Sequence, residues 1–281
     1  MNLKKALPLA LALSLAIGAN AAAQAETVHV FVLAGQSNMV GRDATPFSFD
    51  ENPSVLNYTD GRAGSPLNQI EIAKDPLRHD KDGVTYGTNA GRPFAEEIIK
   101  TLPEGDKILL VNRAWGGTDI SEWRRGHGPK GYSPDSGYNL PVNPYMTTVE
   151  AARSALEAVK ETGRDVSLDG ILWIQGESDV DHLTCPIMYE AAVVDVLTNL
   201  RSDLNAPELP IVIGEFYQDY GGEAGRLILN TLPKIAKRLN AGLASSEGAE
   251  VLKDGVHMTT ASHEALGRRM AEEYLKLTAV K

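Results

Sequence analysis

The stretch Val28-His29-Val30-Phe31-Val32-Leu33-Ala34-Gly35-Gln36-Ser37-Asn38-Met39 decides how this chain reads. Its first seven residues are mostly β-branched or apolar and predict a buried strand. Gly35 then lets the backbone turn sharply, and Ser37 lands where strand gives way to turn. In an open α/β sheet that position lies above the carboxyl ends of the strands, where such folds hold their ligands. Far downstream, Asp254-Gly255-Val256-His257 supplies an acid and a base three residues apart. A serine needs such a base to become a nucleophile at neutral pH, so the two segments together point to a serine hydrolase.

The rest of the chain sets limits on that reading. Lys4 and Lys5 precede an apolar run over 6–17, and small residues end in Ala23-Gln24-Ala25. This layout predicts a secretory signal peptide over 1–25, cleaved after Ala25; the run is too short to span a bilayer. The mature chain, 26–281, is expected to be a soluble single domain, secreted or periplasmic, with no membrane partner. The 281 residues carry a formal charge of −10, which becomes −12 without Lys4 and Lys5 because residues 1–25 hold no acid. An acidic surface disfavours nucleic acid and anionic membranes as partners. The lone Cys185 forms no internal disulfide and has no activating cation beside it in sequence.

Strand-like and helix-like segments alternate, which predicts a parallel sheet with helices on both faces and right-handed crossovers. Five strands are expected, over 28–34, 107–112, 170–174, 210–214 and, briefly, 250–252. Helices are expected over 92–101, 147–161, 187–204, 226–239 and 262–277. Two stretches break the rhythm, 41–90 and 126–144, both rich in Gly, Pro, Asn and Asp. Long loops of this kind are often functional, and both are expected to wall the cleft.

Two more segments stand at predicted strand ends: Arg113-Ala114-Trp115-Gly116-Gly117-Thr118-Asp119-Ile120-Ser121-Glu122-Trp123 and Trp173-Ile174-Gln175-Gly176-Glu177-Ser178-Asp179. With Gly35–Met39 and Asp254–His257 they resemble the four ordered blocks of the SGNH hydrolase superfamily, in the branch of acetylxylan esterases and sialate O-acetylesterases. The resemblance spans 35–257. It implies a flavodoxin-like three-layer α/β/α sandwich and hydrolysis of acetyl esters on sugars.

Ser37 is the expected nucleophile, although serine is also a good helix N-cap. His257 is the expected base, taking the Ser37 proton and returning it to the leaving alcohol. Asp254 would fix the His257 tautomer. Glu177 is the competing carboxylate, and Asp254 is favoured as the direct partner. For the oxyanion, the Ser37 N–H and an N–H from Gly116 or Gly117 are the expected backbone donors, with Gly117 preferred. The resemblance adds the Gln175 amide as a third.

Trp123 is read as a substrate wall, Asn38 as a substrate contact, and Arg124 and Arg125 as surface charges able to steer an acidic sugar. His29, His79, His127, His182 and His263 have no acid placed as Asp254 is. Asp179, Asp181 and His182, like Asp80-Lys81-Asp82-Gly83, make incomplete metal patterns, so no metal and no cofactor is expected. The expected partner is an acetylated carbohydrate. Acetylated xylan is the first choice and O-acetyl sialic acid the second; a lipid esterase or thioesterase, or a non-catalytic carbohydrate-binding protein, ranks lower.

Overall fold

A computed structural model describes residues 26–126 and 143–279. The expected signal peptide and most of the 126–144 stretch lie outside the described residues. Among those described, no helix is long and apolar enough to cross a membrane.

One sheet organises the chain. Its strands are β1 (Thr27–Gly35), β2 (Val55–Asp60), β3 (Leu67–Ile72), β4 (Lys107–Asn112), β5 (Asp165–Ile174), β6 (Ile211–Gly214) and β7 (Gly242–Ala244). The order is β3-β2-β4-β1-β5-β6-β7, parallel throughout except for the antiparallel β2–β3 pair. β1 sits in the middle, buried on both faces, as its sequence predicted.

Alternation along β1 divides the core. Val32 and Ala34 face a cluster containing Trp123, Trp173, Leu197 and Ile235. Helices α3 (Pro144–Glu161), α5 (Pro186–Asp203) and α7 (Leu232–Leu239) cover that side. Phe31 and Leu33 face the other cluster, with α2 (Gly91–Ile98) and α8 (Thr260–Thr278) above it. There Phe31, Phe94 and Tyr274 pack edge to face at centroid distances of 5.0–5.7 Å, an arrangement that adds to burial itself. The result is the expected three-layer sandwich.

The sheet departs from expectation at both edges, with seven strands instead of five. Within 41–90, read as loop, lies the β2–β3 hairpin. Leu67, Gln69, Glu71 and Ile72 of β3 are exposed, so this edge strand carries no clean apolar alternation. The short strand expected at 250–252 is at Gly242–Ala244 instead; Val251 makes only an isolated bridge to Met258. The helix expected over 226–239 is two, α6 (Gly222–Leu229) and α7, divided before Pro233, which lacks the N–H a continuous helix needs.

Candidate active site

The carboxyl ends of β1, β4 and β5 meet at the turn after Ala34. The ladder runs on past the strands: Gln36 N donates to Ile174 O at 2.8 Å, and Trp115 N donates to Gly35 O at 2.9 Å. Gly35 adopts φ +123°, and a Cβ there would lie 2.0 Å from Ile174 O, so only glycine fits. Ser37 then opens a single-turn helix, α1 (Ser37–Val40). Gln36 occupies the N-cap position and no side-chain cap bond forms, which leaves the Ser37 hydroxyl uncommitted to the helix end.

Among the described residues that hydroxyl has one partner, His257. The His257 Nε2 lies 2.8 Å from Ser37 Oγ, and its Nδ1 lies 2.7 Å from Asp254 Oδ2. The other Asp254 oxygen accepts the backbone N–H of Val256 and of His257, each at 3.0 Å. Burial pushes the Asp254 carboxyl up, but the bonds from His257 and Val256 outweigh it and hold the group below the usual range. An ionised carboxylate only accepts, so Nδ1 carries the ring proton and Nε2 is free to take the serine's. Of the two competing carboxylates, Asp254 is the one beside the imidazole.

Next to Ser37, the loop after β4 brings Gly116 and Gly117. A Cβ on Gly116 would stand 3.3 Å from Ser37 Cβ, 2.7 Å from Asp80 and 2.3 Å from the Arg42 guanidinium. The Gly116 N–H donates to the Asp80 carboxylate, which also pairs with Arg42. Gly116 is therefore committed and does not offer its N–H to an oxyanion. Two backbone donors remain: Gly117, whose N–H has no partner among the described residues and whose φ is +71°, and Ser37, in the first turn of α1 where no intrahelical acceptor exists. Preorganised donors of this kind are worth about 3–4 kcal/mol each to an oxyanion transition state.

The four other expected site residues are all buried. The Gln175 amide donates to Asp179 Oδ2 at 2.5 Å and Thr118 O at 3.2 Å. Glu177 does not touch His257; its Oε1 accepts from Asn38 Nδ2 at 2.5 Å. Asn38 is fully buried and bonds to the His257 loop, so it is no surface for substrate. Trp123 is fully buried too, its Nε1 donating to Thr118 Oγ1 and its ring standing edge-on to Trp173 at 4.9 Å. It supports the Gly117–Thr118 loop from beneath.

The family model described as carbohydrate esterase, sialic acid-specific acetylesterase, matches residues 27–276. The chain belongs to that family. It is a hydrolase of ester bonds. A relative in Arabidopsis thaliana, named "Probable carbohydrate esterase At4g34215", is 30% identical over 263 residues, which covers 88% of this chain and 90% of the relative. The crystal structure of that Arabidopsis protein superposes with a TM-score of 0.67 at 25% identity, covering 88% of this chain and 98% of that one. Two further structures share the fold. NanS gives a TM-score of 0.69 at 16% identity over 92% of this chain and 99% of its own. XAC1771, a carbohydrate acetylesterase from Xanthomonas citri, gives 0.61 at 18% identity over 90% of this chain and 56% of its own.

Residues outside the expected catalytic set also brace the nucleophile turn. Gln36 Oε1 accepts the N–H groups of Gly176 and Ser178, each at 3.2 Å, and so ties the nucleophile turn to the start of α4 (Glu177–Asp181). Arg42 and Asp80, from the 41–90 stretch, wedge the Gly116 backbone against Ser37. A cavity of about 490 Å³ lies between the segment after β4, α4 and α5; neither Ser37 nor His257 lines it. Asp119, Asp179 and Asp195 supply polar lining, and Met188 and Ala191 of α5 supply apolar lining. Arg124, expected as a solvated charge, lines it as well; Arg125 pairs with Asp203. Two histidines do have acids brought from afar: His29 lies 2.5 Å from Asp169 and His182 lies 3.0 Å from Asp119. His29 sits near the amino end of β1, away from the serine.

Proposed function

We propose that this esterase removes O-acetyl groups from carbohydrate through an acetyl-enzyme on Ser37, with His257 as base and acid and Asp254 as its orienting carboxylate. His257 Nε2 takes the Ser37 proton as Oγ bonds to the acetyl carbonyl carbon. The carbonyl oxygen, now an anion, sits between the Ser37 and Gly117 N–H groups. The tetrahedral adduct collapses by breaking the bond to the sugar oxygen, which leaves with the proton from His257. Water then repeats the sequence: His257 takes its proton, the hydroxide oxygen attacks the acetyl-serine, acetate departs and Ser37 regains its proton. The observation that carries this reading is the unbroken Ser37–His257–Asp254 chain at 2.8 and 2.7 Å.

Acetylated xylan is the substrate we put first. The cavity between the segment after β4, α4 and α5 has hydrogen-bonding and apolar walls, which suits a sugar unit. Its lining sets Asp119, Asp179 and Asp195 beside Arg124 and His182, an environment with no excess of positive charge to attract an acidic sugar. O-acetyl sialic acid is the second reading, supported by the family's own description. Residues 1–25 read as an export signal, which fits action on a polymer outside the cell.

The test measures acetate release from acetylated xylan oligosaccharides and from O-acetyl sialic acid at matched concentration, with wild type and Ser37→Ala. Release that Ser37→Ala abolishes, faster on the oligosaccharide, supports the proposal. Undiminished release by Ser37→Ala defeats the mechanism, and a preference for the sialic acid replaces the first substrate with the second.

A further inference from the structure

The residue after the nucleophile holds both neighbours of the base. Asn38 Nδ2 donates to Val256 O at 3.2 Å, and Asn38 Oδ1 accepts from Met258 N at 2.9 Å. Val256 and Met258 flank His257. A single buried carboxamide, one peptide bond from Ser37, thus fixes the backbone on either side of the imidazole.

A carboxamide has two faces of similar shape, and reversing it would put an amino group against Met258 N and an oxygen against Val256 O. Both bonds would be lost. The loop's own N–H and C=O thus favour one orientation, and Glu177 reinforces it. Its Oε1 lies 2.5 Å from Asn38 Nδ2, and the ionised group offers only acceptors, so it admits the amino face and rejects the oxygen. This carboxylate is costly. It is 1% exposed, its Oε2 has no partner, and no cation pairs with it among the described residues. Nearby Asp179 and Asp181 repel it further. Buried charges are ordinarily paired, and this one has a single evident task.

The geometry points to Asn38 and Glu177 as positioning residues for the proposed Ser37–His257 chemistry: Glu177 locks the Asn38 carboxamide, and Asn38 clamps both sides of His257 so that Nε2 stays on Ser37 Oγ. Neither touches the acetyl group. This rests on the esterase reading above and adds to it how the base is held. It also places Asp254 and Glu177 in different tasks, one bonded to the ring and the other acting through a second side chain on the loop.

The test uses the full mature chain with Asn38→Leu, which keeps the volume and removes all three bonds, and with Glu177→Ala and Glu177→Gln. Hydrolysis of 4-nitrophenyl acetate gives kcat and KM, and labelling by a fluorophosphonate probe reports the reactivity of Ser37 directly. Misplacing a catalytic group by an ångström costs on the order of 100-fold, so Asn38→Leu should lose about that in kcat with KM within threefold and with labelling slowed in step. Glu177→Ala should lose about tenfold or more. Glu177→Gln, which still accepts in one of its two orientations, should lose less. Folded variants with kcat within threefold of wild type overturn the clamp, and so does full labelling speed in a variant that has lost kcat. If Asn38→Leu does not fold by circular dichroism, the two Glu177 variants carry the same test. A wild type inert toward 4-nitrophenyl acetate defeats the esterase reading instead.

Discussion

Replacing Glu177 by glutamine should stabilise this protein, and only on the alkaline side. Burial, set against the Asn38 bond and reinforced by Asp179 and Asp181, raises the Glu177 carboxyl from 4.5 to about 7. The folded state therefore holds a proton that the unfolded chain has released between those two values. Stability falls with rising pH wherever the folded state binds more protons, so this group weakens the fold progressively from pH 4.5 to 7 and no further above. A pKa difference of one between the two states is worth about 1.4 kcal/mol, so the cost reaches about 3 kcal/mol at pH 8. Glutamine keeps the shape and loses the ionisation, so the stability difference between Glu177→Gln and wild type should grow by about that amount from pH 4.5 to pH 8. Asp179 is also raised to about 7, chiefly by burial, and repels Glu177, so adding Asp179→Asn should give less than the sum of the two single gains. Urea unfolding followed by circular dichroism at pH 5, 6, 7 and 8 measures the curve. A gain of equal size at pH 5 and pH 8, or a loss at pH 8, would refute the argument.

Three further outcomes follow from the same geometry. Asp254→Asn keeps an acceptor for the Val256 and His257 N–H groups but presents the wrong partner to Nδ1, so kcat/KM on 4-nitrophenyl acetate should fall on the order of 10³-fold with folding intact; a loss under tenfold would show that Asp254 does not orient the ring. Gly116→Ala sets a methyl 2.3 Å from the Arg42 guanidinium and 3.3 Å from Ser37 Cβ, so its kcat should fall at least tenfold, and an unchanged kcat would deny that Arg42 and Asp80 brace the nucleophile. Ala191→Trp fills the cavity from an exposed site on α5; it should slow acetylated oligosaccharides far more than 4-nitrophenyl acetate, and equal effects on both would remove the cavity from sugar binding.

His29 supplies a second pH signature at the opposite end of β1. Its bond to Asp169, helped by Asp106 and opposed by burial, raises the imidazole above 6.5. A histidine raised on folding contributes stability that is full below the unfolded value and is lost as pH climbs through the folded one. His29→Gln should therefore destabilise at pH 5.5 and have little effect at pH 8.5, opposite in sign to Glu177→Gln and complementary in pH. The His29 ring signal in a proton NMR titration should turn above 6.5. A midpoint below it would remove the effect.

What was legible in the sequence was local. β1 announced itself because a strand buried on both faces has no polar face to dilute the pattern, and Asp254 and His257 stood out because acid and base are three residues apart. What was missed depends on distance along the chain. The β2–β3 hairpin lies at a sheet edge, where exposed Leu67 and Ile72 alternate with nothing regular. Trp123 was misread because tryptophan is common in both cores and sugar sites, and only its neighbours Trp173 and Thr118 decide between them. Asn38 meets Val256 218 positions away and Glu177 139 positions away, so no window on the sequence joins them. His29 and Asp169, 140 apart, escaped for the same reason.

These two kinds of residue account for the way the site is built. The nucleophile and the base come from opposite ends of the chain, and two loops held only at their own roots would wander relative to each other. A strap between them has to be rigid and has to have one orientation. An amide supplies both a donor and an acceptor to the same loop, which a hydroxyl or a charged group does less well, and the loop's N–H and C=O favour one orientation of it. Glu177, when ionised, never donates and so reinforces that orientation. At pH 8, where Glu177 is mostly ionised, glutamine at 177 would be less costly to bury and would hold the amide less firmly; the carboxylate is more costly and holds it in one orientation. Stability and alignment therefore pull in opposite directions at one position, as they do at many active sites. Glu177→Gln should be at once the more stable and the slower protein at pH 8, and finding it both stable and fully active would mean that Asn38 needs no lock.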